Sequence, residues 1–257
     1  MLLPQPAFPI SLTLLPYCLF APALFAQQVA FSPNDETIAI GGEYGEIQLV
    51  DSATAKLKFE MLHPGVPKLD PDQPLSAINW TASVWFSPDG KRLASSCGLT
   101  PVAIWDLETR KVIHTLQQAS VGYNLAFSPD GSRLVGIGVE GKIGPTRITL
   151  WDTQTGKVLS TCTTDQIETK NSEKLFSTNG LKIAFTCQQA GKRFFYILDT
   201  VSGEQKLKLE LSSYQHAYLS PDGLRSLVSD FSEEKHSYKI IDTLNGKSIL
   251  TPPKQDR

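Results

Sequence analysis

A chain of 257 residues that is 41% hydrophobic and 19% charged falls in the range of a soluble globular protein able to bury a core. Its 24 basic and 26 acidic side chains leave a net charge of -2 with no basic run anywhere. That pattern excludes the electrostatic footprint of a nucleic-acid binder, and a polybasic membrane patch with it.

In chain order, the first 34 residues carry no Asp, Glu, Lys or Arg, and Asp35 is the first charge. Within them Ile10 to Ala26 forms an apolar run of 17 residues that stops at Gln27-Gln28. The run is marginal in length for a spanning helix, and Pro16 and Pro22 interrupt it. It fits the apolar core of a secretory signal, with a cut after Ala26 or near Ala21-Pro22-Ala23, although no positive leading segment precedes it. A worn N-terminal strand and a retained anchor are the other readings. Residues 1–26 are therefore read as a signal peptide or a worn strand, and 27–257 as the folded domain. The first reading places the mature protein outside the cytoplasm, periplasmic or secreted; the second leaves it cytoplasmic. No stable membrane insertion of the mature domain is expected.

From Phe31 onward the chain repeats itself. Phe31-Ser-Pro-Asn-Asp is followed by Phe86-Ser-Pro-Asp-Gly, Phe127-Ser-Pro-Asp-Gly, Phe176-Ser-Thr-Asn-Gly and Leu219-Ser-Pro-Asp-Gly, at intervals of 55, 41, 49 and 43 residues. An apolar residue and an Asp stand downstream of each opening: Val50-Asp51, Trp105-Asp106, Trp151-Asp152, Leu198-Asp199 and Ile241-Asp242. In the second copy Val84 to Phe86 reads as a strand and Pro88 to Gly90 as a tight turn. Pro presets φ, Asp bonds its own backbone, and Gly takes a positive φ without penalty. Lys91 to Ser96, Val102 to Trp105 and Lys111 to Leu116 supply three more strands. No amphipathic helix of ten or more residues follows Ala26.

A repeat of this size, built of four short strands, predicts an all-β fold, a β-propeller of about five four-stranded blades. The opening Phe residues and the Trp marks are expected in the core, wedged between neighbouring blades. The last strand, near Ser248, ends the last blade without any obvious strand exchange between the termini. If residues 8–20 are not cleaved they can supply the closing strand; otherwise the ring closes by packing alone, or its edges meet another copy.

At these residues the sequence resembles the WD-repeat propellers, over essentially all of 27–257. The second and third copies match best, through Ile104-Trp105-Asp106 and Leu150-Trp151-Asp152. The resemblance implies a scaffold that binds other proteins. The family's Gly-His pair before the inner strand is missing, its place in the third repeat falling near Gln118-Ala119. The Asp of the second-to-third-strand turn is replaced by Tyr44 and Leu99. A buried His–Ser–Asp–Trp hydrogen-bond chain is therefore not expected.

Chemistry-bearing motifs are sparse. Gly136-Ile-Gly138-Val-Glu-Gly141 matches G-x-G-x-x-G, but it leaves a strand for a loop rather than opening a helix. The histidines (His63, His114, His216, His236) are scattered without metal-ligand spacing. Asp70-Pro-Asp72 reads as a solvated loop rather than a calcium site. The cysteines Cys18, Cys97, Cys162 and Cys187 form no Cys-x-x-Cys pair and read as small buried hydrophobes. Asn79-Trp80-Thr81 is a glycosylation sequon by pattern only. The Asp after each Trp is explained by turn chemistry, and no Gly-x-Ser-x-Gly elbow marks a nucleophile. The expectation is no cofactor, no metal and no catalysis.

Binding is expected on the end that carries the second-to-third-strand loops and the connections between blades. The largest loops run from Leu62 to Asn79 and from Thr161 to Asn171; Gly138 to Arg147 and Asp230 to His236 come next. Tyr44, Trp80, Tyr123 and Tyr214 are the candidate partner-binding residues, because interfaces favour amphipathic rings; blade packing is their alternative role. The expected function is a protein-interaction or sensor propeller with other proteins as partners. The alternatives are an extracytoplasmic glycan or small-molecule binder, and a hydrolase- or lactonase-like enzyme on the same scaffold.

Overall fold

The computed structural model describes residues 29–42, 45–66, 81–98, 100–116, 120–140, 144–167, 176–232 and 235–250. They form twenty strands and no helix, in five antiparallel sheets of four consecutive strands each. Blade 1 is β1 (Val29–Phe31), β2 (Thr37–Gly41), β3 (Glu46–Asp51) and β4 (Leu57–Leu62). Blade 2 is β5 (Thr81–Phe86), β6 (Arg92–Cys97), β7 (Val102–Asp106) and β8 (Lys111–Leu116). Blade 3 is β9 (Ser120–Phe127), β10 (Arg133–Glu140), β11 (Thr146–Asp152) and β12 (Val158–Thr164). Blade 4 is β13 (Gln166–Ile167), β14 (Lys182–Gln189), β15 (Lys192–Asp199) and β16 (Gln205–Leu211). Blade 5 is β17 (Gln215–Leu219), β18 (Arg225–Ser232), β19 (Lys235–Asp242) and β20 (Ser248–Leu250). Among the described residues each sheet is built from four consecutive strands, with none exchanged between the first and last sheets. Residues 1–26 and the Gln118-Ala119 pair lie outside the described residues; Gly136 and Gly138 of the glycine motif lie inside β10.

The repeated tetrapeptide has one local cause in every blade. The hydroxyls of Ser32, Ser87, Ser128, Ser177 and Ser220 each accept the backbone N–H five residues on, at 2.9–3.0 Å. Each also donates to the Asn or Asp two residues on, as Ser128 Oγ does to Asp130 Oδ1 at 2.6 Å. Gly90, Gly131, Gly180 and Gly223 follow at φ 68–73°. This clasp closes the first hairpin. At the second hairpin the Asp accepts backbone N–H groups: Asp152 Oδ1 takes Thr155 N at 2.8 Å and Gln154 N at 3.1 Å. Beside every apolar mark the fourth strand slips register by one residue, a bulge that adds twist to each blade.

The core lies in the seams between blades, and four of the five apolar marks fill a seam with the preceding blade. Trp105 packs with Ala39, Leu49 and Met61 of blade 1. Trp151 packs with Ala94, Ile104 and Leu116 of blade 2. Leu198 joins Val135 and Leu150 of blade 3, and Ile241 joins Ala184 and Ile197 of blade 4. Val50, with no blade before it among the described residues, is only half-buried. The opening aromatics divide in the same way. Phe86, Phe127 and Phe176 pack against seam clusters, whereas Phe31 is 61% exposed, a correction to its reading as core.

Polar latches reinforce the seams. Arg92 of blade 2 donates to Gly131 O and Thr153 Oγ1 of blade 3, both at 2.9 Å. Arg133 of blade 3 reaches Thr200 O of blade 4 at 3.2 Å. Asn179 of blade 4 donates to Asp222 O of blade 5 at 3.0 Å. Arg110 of blade 2 stacks over Phe59 of blade 1, 4.5 Å from the ring centre. All substantial packing between strands of different sheets joins blades adjacent in chain order, and among the described residues none joins blade 5 to blade 1.

Candidate interaction surface

The blades have two ends. One carries the two tight hairpins of each blade; the other carries the second-to-third-strand loops and the connections. At the hairpin end the Asp carboxylates other than that of Asp35 are committed to turns. Accepting the Thr109 N–H and hydroxyl holds the Asp106 carboxyl below its usual range. Burial would raise the Asp199 carboxyl, but the Lys182 ammonium and the Ser202 N–H outweigh it and hold it down to about 2. A shallow cleft of ≈ 320 Å³ lies here between blades 1 and 2, floored by Leu49, Phe59, Phe86 and Leu107. Among the described residues no group of three or more His, Cys, Asp or Glu could hold a metal ion.

At the opposite end the chain leaves β4 through His63, which is 1% exposed. Its Nδ1 lies 2.8 Å from Ser95 Oγ, and its Nε2 lies 3.0 Å from Pro101 O. Trp105 Nε1 donates to the same Ser95 Oγ at 2.8 Å. A carbonyl only accepts, so Nε2 carries the proton and Nδ1 accepts from the Ser95 hydroxyl. The polar side-chain atoms of His63, Ser95 and Trp105 are thereby satisfied with the imidazole neutral. Burial pushes the His63 pKa down to about 4, against the pull of the Pro101 carbonyl. This corrects in part the expectation of no His–Ser–Asp–Trp chain: the His–Ser–Trp part forms, without the Asp. Blade 2 retains His, Ser and Trp, and a backbone carbonyl stands where an Asp is missing. His63 was overlooked because a long insertion separates it from β5. The signal available was a His directly after an outer strand. Blade 3 has Gly136 at the position of Ser95, so the same hydroxyl is absent beneath Trp151.

Of the four candidate contact residues, Tyr44 and Trp80 lie outside the described residues. Tyr123 lies in β9. Tyr214 sits in the connection from blade 4 to blade 5 and is 55% exposed. That connection is pinned: Arg193 Nη1 donates to Ser212 O at 2.7 Å and to Gln215 O at 3.1 Å. Gln215 Nε2 in turn donates to Asp230 at 3.0 Å, and Phe231 N to Tyr214 O at 3.0 Å. An exposed ring on an immobilised backbone meets a partner at low entropic cost.

No protein-family model matches the chain. Over 109 residues it is 29% identical to the WD repeat-containing protein VIP3 of Arabidopsis thaliana, covering 41% of this chain and 33% of that protein. Over 113 residues it is 28% identical to the protein Groucho of Drosophila melanogaster, covering 43% of this chain and 14% of that one. Both similarities support a WD-repeat-like family rather than a particular member. The matched stretches span about a third or less of each relative's length. Together with the five-sheet arrangement they fit a protein-interaction propeller. No helix among the described residues is long and apolar enough to cross a membrane.

Proposed function

We propose that the chain is a non-catalytic protein-interaction propeller that engages its partner through the loop-lined end. The observation that carries this reading is Tyr214, an exposed ring held over a connection that Arg193 and Gln215 fix in place. WD-repeat likeness supports a protein as the partner. Residues 1–26 act, on this reading, as a signal that places the domain outside the cytoplasm; mass spectrometry of a mature chain beginning at Gln27 tests that part. The binding end is tested by a photoreactive residue at position 214, compared with one at the exposed hairpin residue Asn245, in the native cell. One defined protein captured at 214 and not at 245, and released by Tyr214→Ala in a pull-down, is the expected result. Equal capture at both ends, or binding untouched by Tyr214→Ala, contradicts it.

A further inference from the structure

Each internal seam joins two different faces, one from the earlier blade and one from the later. Among the described residues four seams use four of each, which leaves the back of blade 1 and the front of blade 5. Each carries an open apolar row, bordered on blade 1 by the hydrogen-bonded Gln48 and Glu60 and on blade 5 by Ser229 beside Tyr238. Val29, Phe31 and Leu57 on blade 1 are 45%, 61% and 53% exposed. Tyr218, Leu227 and Tyr238 on blade 5 are 46%, 40% and 48% exposed. Cross-strand pairing sets Phe31 beside Ile38, and Tyr218 beside Leu227, so each face is continuous rather than scattered. Contiguous apolar surface of this kind marks an interaction site.

The latches say what fits there. Arg225 occupies in blade 5 the place of Arg92 and Arg133, directly after the hairpin and paired with the Asp of the third strand. Its guanidinium makes no hydrogen bond or close ion pair among the described residues and acts only at longer range on the Asp222 carboxyl of its own hairpin. The receiving half survives on blade 1. The Ser52 hydroxyl bonds Asp35 O, as Thr153 Oγ1 bonds Gly131 O at 2.7 Å in blade 3. Asp35 stands where the other blades carry Gly, at φ 58° against 68° for Gly131. A Cβ at Gly131 would lie 2.9 Å from the Arg92 guanidinium. In a seam of the same build between blade 5 and blade 1, a carboxylate would therefore meet a guanidinium. The Asp35 side chain, too, lacks a partner among the described residues.

We propose that the front of blade 5 docks on the back of blade 1 of a second copy of this chain, with Arg225 paired to Asp35 across the junction. The contact is head-to-tail and separate from the loop-lined end. Its energy comes from apolar burial; the ion pair fixes the register. Light scattering of the purified chain across a concentration series tests it. The mass is expected to rise above the 28.2 kDa of one chain. Asp35→Arg or Arg225→Asp alone should weaken association by about tenfold, the scale of a charge-assisted pair turned repulsive. The two reversals together, in one chain, should restore it. Because both side chains are exposed, unchanged circular dichroism is the folding control. A wild-type mass that stays at one chain at every concentration overturns the proposal, including the case where the two faces close within a single chain. So does association that neither single reversal weakens, or that the paired reversal fails to restore.

Discussion

Blades 2 and 5 share one strand plan and one hairpin clasp, yet they differ in what their faces meet. The inner strands of blade 2 are buried on both sides: β6 and β7 keep Leu93, Ala94, Ala103 and Ile104 wholly from solvent. In blade 5 the same strands alternate, with Ser226 and Val228 buried while Leu227 and Tyr238 are exposed. The apolar mark differs as well. Trp105 is tied through Ser95 to His63, whereas Ile241 has only its packing. Blade 2 carries a large ring and a polar anchor; blade 5 has an aliphatic wedge, as blade 4 does in Leu198.

The largest test of this contrast is Trp105→Ala, which empties the seam between blades 1 and 2 and should cost about 3–5 kcal/mol in denaturant unfolding. Next comes pH. The His63 pKa is about 4 in the folded chain and about 6.5 when unfolded, so the unfolded state binds the proton more readily between those values. The His63 contribution is complete above pH about 6.5. It is lost as pH falls towards about 4, by up to about 3 kcal/mol, and a His63→Phe chain should lack this component of the acid loss. A stability profile as steep in the variant as in the wild type breaks the assignment. Smaller again is Ser95→Ala, which leaves the Trp105 indole N–H without its acceptor and should cost about 1–3 kcal/mol. Smallest is Leu227→Ala on the open face, within about 0.5 kcal/mol for the isolated chain, against about 2–5 kcal/mol for Ile104→Ala in the covered face of blade 2.

Much of the fold was legible because its marks are local. Ser128, Asp130 and Gly131 close a hairpin within six residues, and Asp152 caps the next turn from its own side chain. Any copy of those residues betrays the blade. The seams were less legible, since nothing in Val50 or Phe31 distinguishes them from Trp105 or Phe86 until the neighbouring blade is found present or absent. The His63 network escaped notice because it joins three distant segments through contacts that no spacing rule encodes. In the candidate site, Tyr214 could be read as exposed from its place in a polar connection. The Arg193 and Gln215 bonds that fix it could not, because they depend on how blades 4 and 5 meet.

Among the described residues, blades 2 to 4 are covered on both faces while blades 1 and 5 are covered on one. Native-state hydrogen exchange on the dilute, dissociated chain measures this strand by strand. Amides of β6, β7, β10, β11, β14 and β15 should exchange only through the costliest openings, and those of β2, β3, β18 and β19 through cheaper local ones. Protection of β18 and β19 equal to that of β10 and β11 would contradict it.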